Sequence, residues 1–315
     1  MKRRWNLMHT SALEKETNTV SNPRAKVTAT YQAARTVLSI LVSAGLLVAA
    51  GASPVEKTIE TTPNPRISLG NIQGQVVVKG WNKSVVHATW STASPRVEVD
   101  EEAAPPDGPA ERVRFSTHAL DPSVTGHDSA ADYRLEVPLN SSVEIRNPQG
   151  LVQVENLQGD TTVESVGGKI SVADIAGHLS VRSVGGDIEI ARPSGRVEAY
   201  SITGNLHFIS PTSRKIRGTT TSGKITYEGD FAPGGDYSLS AYSGDLDVFC
   251  PANASFELNA KSVRGRLENS FPITPKRHAP PPPSAGFSLF GTSNSGTATV
   301  ELTSYRGTIR IRRLP

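Results

Sequence analysis

The chain has 315 residues, enough for one large domain or two ordinary ones, and a formal net charge of only +3, which argues against nucleic acid as a partner. Apolar residues make up 37% and charged residues 20%, which excludes a wholly disordered chain. Glycine (27) and proline (22) are abundant and aromatics few, a balance that favours many short strands and turns over helices.

Residues 1–35 are basic, with Lys2, Arg3, Arg4, Arg24, Lys26 and Arg35 against Glu14 and Glu16, and are expected to be disordered. The uncharged run TVLSILVSAGLLVAAGA (36–52) follows, ending in the small-x-small site Ala50-Gly51-Ala52. This is the layout of a secretory signal peptide with a long n-region, or of an uncleaved anchor with its N-terminus in the cytoplasm. The run is slightly shorter than the ~20 residues of a spanning helix. No cysteine follows it directly, so a lipoprotein anchor is excluded. Either way, the chain from about residue 53 onward is expected outside the cytoplasm, in the periplasm or at the cell surface.

Residues 53–146 read as an N-terminal cap and early coils. GQVVVKGW places Val76 and Val78 two and four positions after Gly74, and SVVHATW, RVEVD, RVRFSTH and YRLEVP alternate like further strands. The polar stretch EEAAPPDGPA (101–110) interrupts them as a hairpin excursion.

Residues 147–315 carry a repeat. Gly150, Gly159, Gly168, Gly177, Gly186, Gly195 and Gly204 recur every nine residues; Gly223, Gly244, Gly265 and Gly307 continue the series at longer spacing. Apolar residues stand two and four positions after these turn glycines, as in Ile170 and Val172 or Ile188 and Ile190. The position two before is also mostly apolar (Leu157, Val166, Ile175, Val184, Ile202, Tyr242, Val263, Tyr305), and both sets are expected to line the interior. Nine residues are too few for a closed core, but two such units make one coil with a strand on each side, which is why SVGG recurs at eighteen. The reading is all-β: a parallel β-helix (β-solenoid) of about 18–21 residues per coil, right-handed by the usual sense of parallel crossovers. The hexapeptide helix, the nonapeptide calcium roll and the propeller each require a different period or motif. The proline-rich insert 272–296 is expected to be a mobile loop. The basic final coil, with Arg310, Arg312 and Arg313, is expected as a solvated strand at the exposed end of the stack.

GQVVVKGW (74–81), ADYRLEVPLNSSVEIRNPQGLVQVENLQGD (131–160) and the SVGG repeats together resemble the DUF4097 family of bacterial adhesin-like β-strand-repeat proteins, over roughly residues 56–315. The resemblance implies an exported parallel β-helix, often membrane-associated, and carries no catalytic motif. The long N-terminal extension and the proline-rich insert depart from the family pattern.

The outward polar residues are the candidates for chemistry on the stack. Asp187 and Glu189 share a face, Glu189 and His207 stand one coil apart, and His178 falls between Asp160 and Arg196. Such pairs suit acid/base work, but opposite charges on adjacent rungs also arise from simple strand pairing. Cys250, the sole cysteine, has no supporting base and reads as a packed thiol. His9, His87, His118, His127 and His278 lack metal-ligand spacing. Trp81 and Trp90 read as packing residues rather than a sugar platform. The N-x-S/T sites at Asn82, Asn140 and Asn253 read as chance. The expectation is therefore no catalytic residue, no metal and no cofactor, with no ligand-binding residue nameable. The function expected is an adhesin-like binding or structural module of the cell envelope. Its partner would be an envelope protein or polysaccharide, or a second copy of itself, with the membrane engaged through 36–52 if uncleaved. The alternatives are a carbohydrate-active β-helix enzyme (polysaccharide lyase or hydrolase) and a membrane-anchored envelope-sensing partner.

Overall fold

The structure, a computed structural model, describes residues 53–276 and 287–314. The basic n-region, the apolar run 36–52 and residues 277–286 of the insert lie outside the described residues. Alternating aliphatic and polar residues after each turn make short half-buried strands. In chain order they are β1 (Val55–Gly70), β2 (Val76–Trp81), β3 (Val85–Thr92), β4 (Val97–Ala104), β5 (Ala110–Ala119), β6 (Ala131–Pro138), β7 (Ser142–Arg146), β8 (Val152–Leu157), β9 (Thr161–Ser165), β10 (Ile170–Ile175), β11 (Leu179–Ser183) and β12 (Ile188–Ala191). Then follow β13 (Val197–Ser201), β14 (Leu206–Ile209), β15 (Lys215–Thr220), β16 (Ile225–Glu228), β17 (Asp236–Ala241), β18 (Leu246–Cys250), β19 (Phe256–Ser262), β20 (Leu267–Asn269), β21 (Thr274–Pro275), β22 (Phe287–Ser293), β23 (Ala298–Ser304) and β24 (Ile309–Arg313).

Two ladders face each other. One runs β3–β6–β2–β8–β10–β12–β14–β16–β18–β24–β20. The other runs β4–β5–β1–β7–β9–β11–β13–β15–β17–β23–β19–β22–β21. Pairing is parallel along the stack and antiparallel only at the caps, where β3, β4, β21 and β22 lie. The fold is a β-solenoid, not closed into a barrel. Ile170 pairs with Ile188 and Val172 with Ile190, eighteen residues on, so each inward side chain rests on its counterpart one coil away. The steps lengthen to nineteen at Leu206–Ile225 and twenty-one at Ile225–Leu246. The wider coils enclose an aromatic cluster in which Phe231 stacks on Tyr227 at 5.0 Å and meets Tyr237 and Phe256 edge-on. A buried aliphatic side chain contributes about 1.5–3 kcal/mol, and the stack multiplies that term coil by coil.

Three expectations require correction. First, the residues two before the glycine do not share one environment. Leu157 and Ile175 are buried, but Val166, Val184, Ile202 and Tyr242 are exposed, and Val263 and Tyr305 are half-buried. The two corners of the coil differ physically. At one, Ser183 points inward, so the alternation turns Val184 outward. At the other, Asn156 and Asp174 adopt left-handed φ of 60° and 56°, which inserts a second outward residue and returns Leu157 and Ile175 to the core. Second, the final coil is not the end of the stack. β23 lies between β17 and β19, and β24 lies between β18 and β20, so the coil last in sequence fills the penultimate rung. Third, the insert is not wholly a loop: β22 pairs antiparallel with β19 and caps that edge.

Candidate functional site

The repeat glycines form columns. A Cβ built on Gly168 would run into the Gly150 carbonyl, one on Gly186 into that of Gly168, and the contact recurs through Gly204, Gly223, Gly244, Gly307 and Gly265. A second column runs from Ser141 through Gly159 and Gly177 to Gly195. Close backbone approach, more than left-handed φ, is what excludes a side chain there. Three residues before the glycine a buried hydroxyl completes the corner. Ser183, Ser201, Thr220, Ser262 and Ser304 accept the amide hydrogens of Gly186, Gly204, Gly223, Gly265 and Gly307 at 2.8–3.1 Å. The S/T-x-x-G recurrence is visible in the sequence, but alternation alone assigns those hydroxyls no face.

The polar pairs singled out as candidate acid/base groups have structural partners. Glu189 stands in register with His207, as expected, yet its carboxylate is 2.7 Å from Lys169 Nζ while His207 Nε2 faces Glu228 at 3.1 Å. Asp187 accepts the backbone amide of Asn205 at 2.8 Å and its side-chain amide at 3.0 Å. Asp160 accepts the His178 amide at 3.1 Å, and Arg196 pairs with Glu198, whose carboxyl it holds below the usual range. Asp245 repeats the arrangement, accepting the Thr308 amide and pairing with Arg310 at 2.8 Å. Asp160, Asp187, Glu189 and Asp245 each hold one coil to the next, while the Arg196–Glu198 pair lies within one coil. Trp90 is buried against Phe115, and Trp81 donates its indole N–H to the Val85 carbonyl at 2.8 Å, so both serve the cap. Cys250 is buried, and burial pushes its thiol up to about 12. Among the described residues no group of three His, Cys, Asp or Glu could hold a metal ion, and no helix is long and apolar enough to cross a membrane.

What the surface does offer is an apolar ridge along the serine corner. The turn backbones are hydrogen-bonded rung to rung: Gly185 donates to Val166, Thr203 to Val184, Thr221 to Ile202, Ser243 to Thr221 and Arg306 to Tyr242. This aligns the side chains of Val166, Val184, Ile202, Thr221, Tyr242 and Tyr305 in one file of six rungs, whose five steps span roughly 24 Å at ~4.8 Å each, with Thr221 its one aliphatic hydroxyl. Val166 is 53% exposed and Tyr242 51%. Tyr242 and Tyr305 stack at 4.9 Å with 11° between planes, and the Arg264 guanidinium lies 5.4 Å from the Tyr305 ring centre.

No family model matches the chain, so the DUF4097 resemblance stands on the residue pattern alone. No curated protein matches it either. Two similar solved structures are a candidate cell adhesion protein from Clostridium sporogenes ATCC 15579 and a candidate adhesin from Bacteroides fragilis NCTC 9343. The first is 11% identical with a TM-score of 0.30, covering 83% of this chain and 100% of its own. The second is 14% identical with a TM-score of 0.40, covering 84% of this chain and 98% of its own. Likeness at this level assigns nothing to the present chain.

Proposed function

We propose that the chain is an exported, non-enzymatic, adhesin-like β-solenoid of the cell envelope that binds an envelope protein or polysaccharide along its length. The observation that carries the reading is the ridge from Val166 to Tyr305. Contiguous exposed apolar surface on a folded protein marks interaction sites, and Val166, Val184, Ile202 and Tyr242 expose theirs along one corner of the stack. The commitment of Asp187, Glu189 and Asp160 to inter-coil contacts supports a binding rather than a hydrolytic role. Export, with release or anchoring, rests on the apolar run 36–52 and its basic flank.

The test is co-sedimentation of the full chain with isolated bacterial envelopes. A Val184→Lys, Ile202→Lys, Tyr242→Lys variant should keep its β-sheet circular dichroism and bind at least about tenfold more weakly. Undiminished binding by that variant counts against the ridge. Turnover of an envelope polysaccharide that disappears in Glu189→Gln would replace this function with an enzymatic one.

A further inference from the structure

On the outward face near the N-terminal cap, β1 lies between β5 and β7. There Arg66 stands directly opposite Arg112, with Ser142 on its other side. Elsewhere on this ladder, cross-rung neighbours carry opposite charges: Arg146 opposes Glu164, Glu164 opposes Arg182, and Glu198 opposes Arg217. Like charges in register are destabilising. Arg66 and Arg112 form no ion pair among the described residues, whereas the adjacent Arg114 stands opposite Glu102 of β4. Arginine opposite arginine without a carboxylate between them is an arrangement that an external anion would complete.

The floor supports the same conclusion. One position along from Ser68, Leu69 points inward, and the next outward position is Gly70, between Ser116 and Arg146. A Cβ at Gly70 would meet nothing within 4 Å, so packing does not require glycine there. Its missing side chain deepens a trough of about 650 Å³. That trough continues, through the shared Arg66 and Arg112, into a second hollow of about 520 Å³ beside Asn64 and Thr62. The trough is thus elongated: Arg66 and Arg112 are shared by its two parts, and Ser68, Ser116, Ser142, Thr62 and Asn64 add hydroxyls and one amide. Glu102, Glu111 and Glu144 also line it, so an anion would be held at the opposed arginines rather than along the whole length. Guanidinium forks match carboxylates in a bidentate geometry, and the serine, threonine and asparagine side chains exchange hydrogen bonds with hydroxyls.

We propose that this trough binds a carboxylate-bearing polysaccharide, with a uronate carboxylate seated between Arg66 and Arg112. The site is separate from the apolar ridge and goes beyond the function proposed above.

The probe is polygalacturonate, titrated calorimetrically into the full chain, with neutral dextran and polyglutamate as comparisons. Polygalacturonate should bind, weaken as salt rises, and outcompete both comparisons. Arg66→Ala with Arg112→Ala should lower affinity at least about tenfold while leaving the melting temperature unchanged or higher, because the opposed charges are gone. Gly70→Phe, which fills the hollow without straining the backbone, should also lower it about tenfold and keeps the test valid if the arginine variant misfolds. Arg217→Ala, on the same ladder, and the ridge variant should bind polygalacturonate like the parent. Equal binding by the parent, the double variant and Gly70→Phe overturns the site, as does absence of polygalacturonate binding. Tighter binding of polyglutamate than of polygalacturonate overturns the ligand class.

Discussion

The Ser304 hydroxyl donates to the Gly244 carbonyl at 3.2 Å, across sixty residues of chain. Ser262, earlier in the sequence, donates instead to Gly307 at 2.9 Å. The chain therefore skips a rung after β18, lays down β19 and β20, and returns to fill the gap with β23 and β24. The N-terminal end mirrors this: β1 and β2 lie between β5–β6 and β7–β8. At each end a coil is held on both sides by segments distant in sequence, and antiparallel strands cover three of the four ladder ends, the short β20 forming the fourth. Open edges, which invite pairing with other chains, are reduced accordingly.

This order predicts that the last residues behave like mid-stack core. Ile309, which is fully buried and paired with both Leu246 and Leu267, should lose about 2–5 kcal/mol of stability on change to alanine, the same range as Ile170→Ala. Urea unfolding measures both. A fraying terminal strand would give a far smaller loss, and native-state hydrogen exchange at the Ile309 amide would be fast rather than slow.

The glycine columns make a paired prediction. Gly186→Ala places a methyl group against the Gly168 carbonyl and should cost about 1–3 kcal/mol. Gly70→Ala meets open space and should stay within about 0.5 kcal/mol of the parent. Similar unfolding midpoints for the two variants would remove close approach as the reason for the columns.

The nine-residue glycine period and the alternation after it were enough to read the solenoid, its coil length and its inward valines and isoleucines. The register of Glu189 with His207 was legible for the same reason, since eighteen residues close one coil. The outward turn of Val184 was not, because it depends on Ser183 facing inward to reach Gly186, a choice that alternation leaves open. Nor was the rung exchange at the C-terminal end. Gly265 follows Gly244 by twenty-one residues, the same step as Gly223 to Gly244, so spacing alone places it one rung too early. The arginine trough combines strands from residues 66–70, 110–119 and 142–146, and no local pattern links them.

Cys250 supplies a chemical probe of the interior. Its thiol lies beside the Tyr227 cluster in β18, and burial raises it to about 12. The thiolate is the reactive form, so the native protein should resist iodoacetamide at pH 8 and react fully in denaturant. Rapid labelling of the native chain would mean that this part of the stack opens readily.

The Asp174–Arg192 pair gives the pH dependence its sign. The Arg192 side chain donates two hydrogen bonds to Asp174, at 2.8 and 2.6 Å, and holds that carboxyl below the ordinary aspartate range. Because the folded value lies below the unfolded one, the pair's contribution is present above the unfolded aspartate pKa and is lost as pH falls through the folded value. Both side chains are about half exposed, so solvent screening keeps the effect small. Both also occupy left-handed backbone positions in register on adjacent coils, which fixes the geometry without relying on the charge. Asp174→Asn should therefore lower stability slightly at pH 7 and leave it unchanged near pH 2, while Asp174→Ala should lower it at both. Asparagine adopts the left-handed conformation at lower cost than alanine, so equal losses for the two variants at pH 2 would show that backbone conformation is not what the corner demands of that residue.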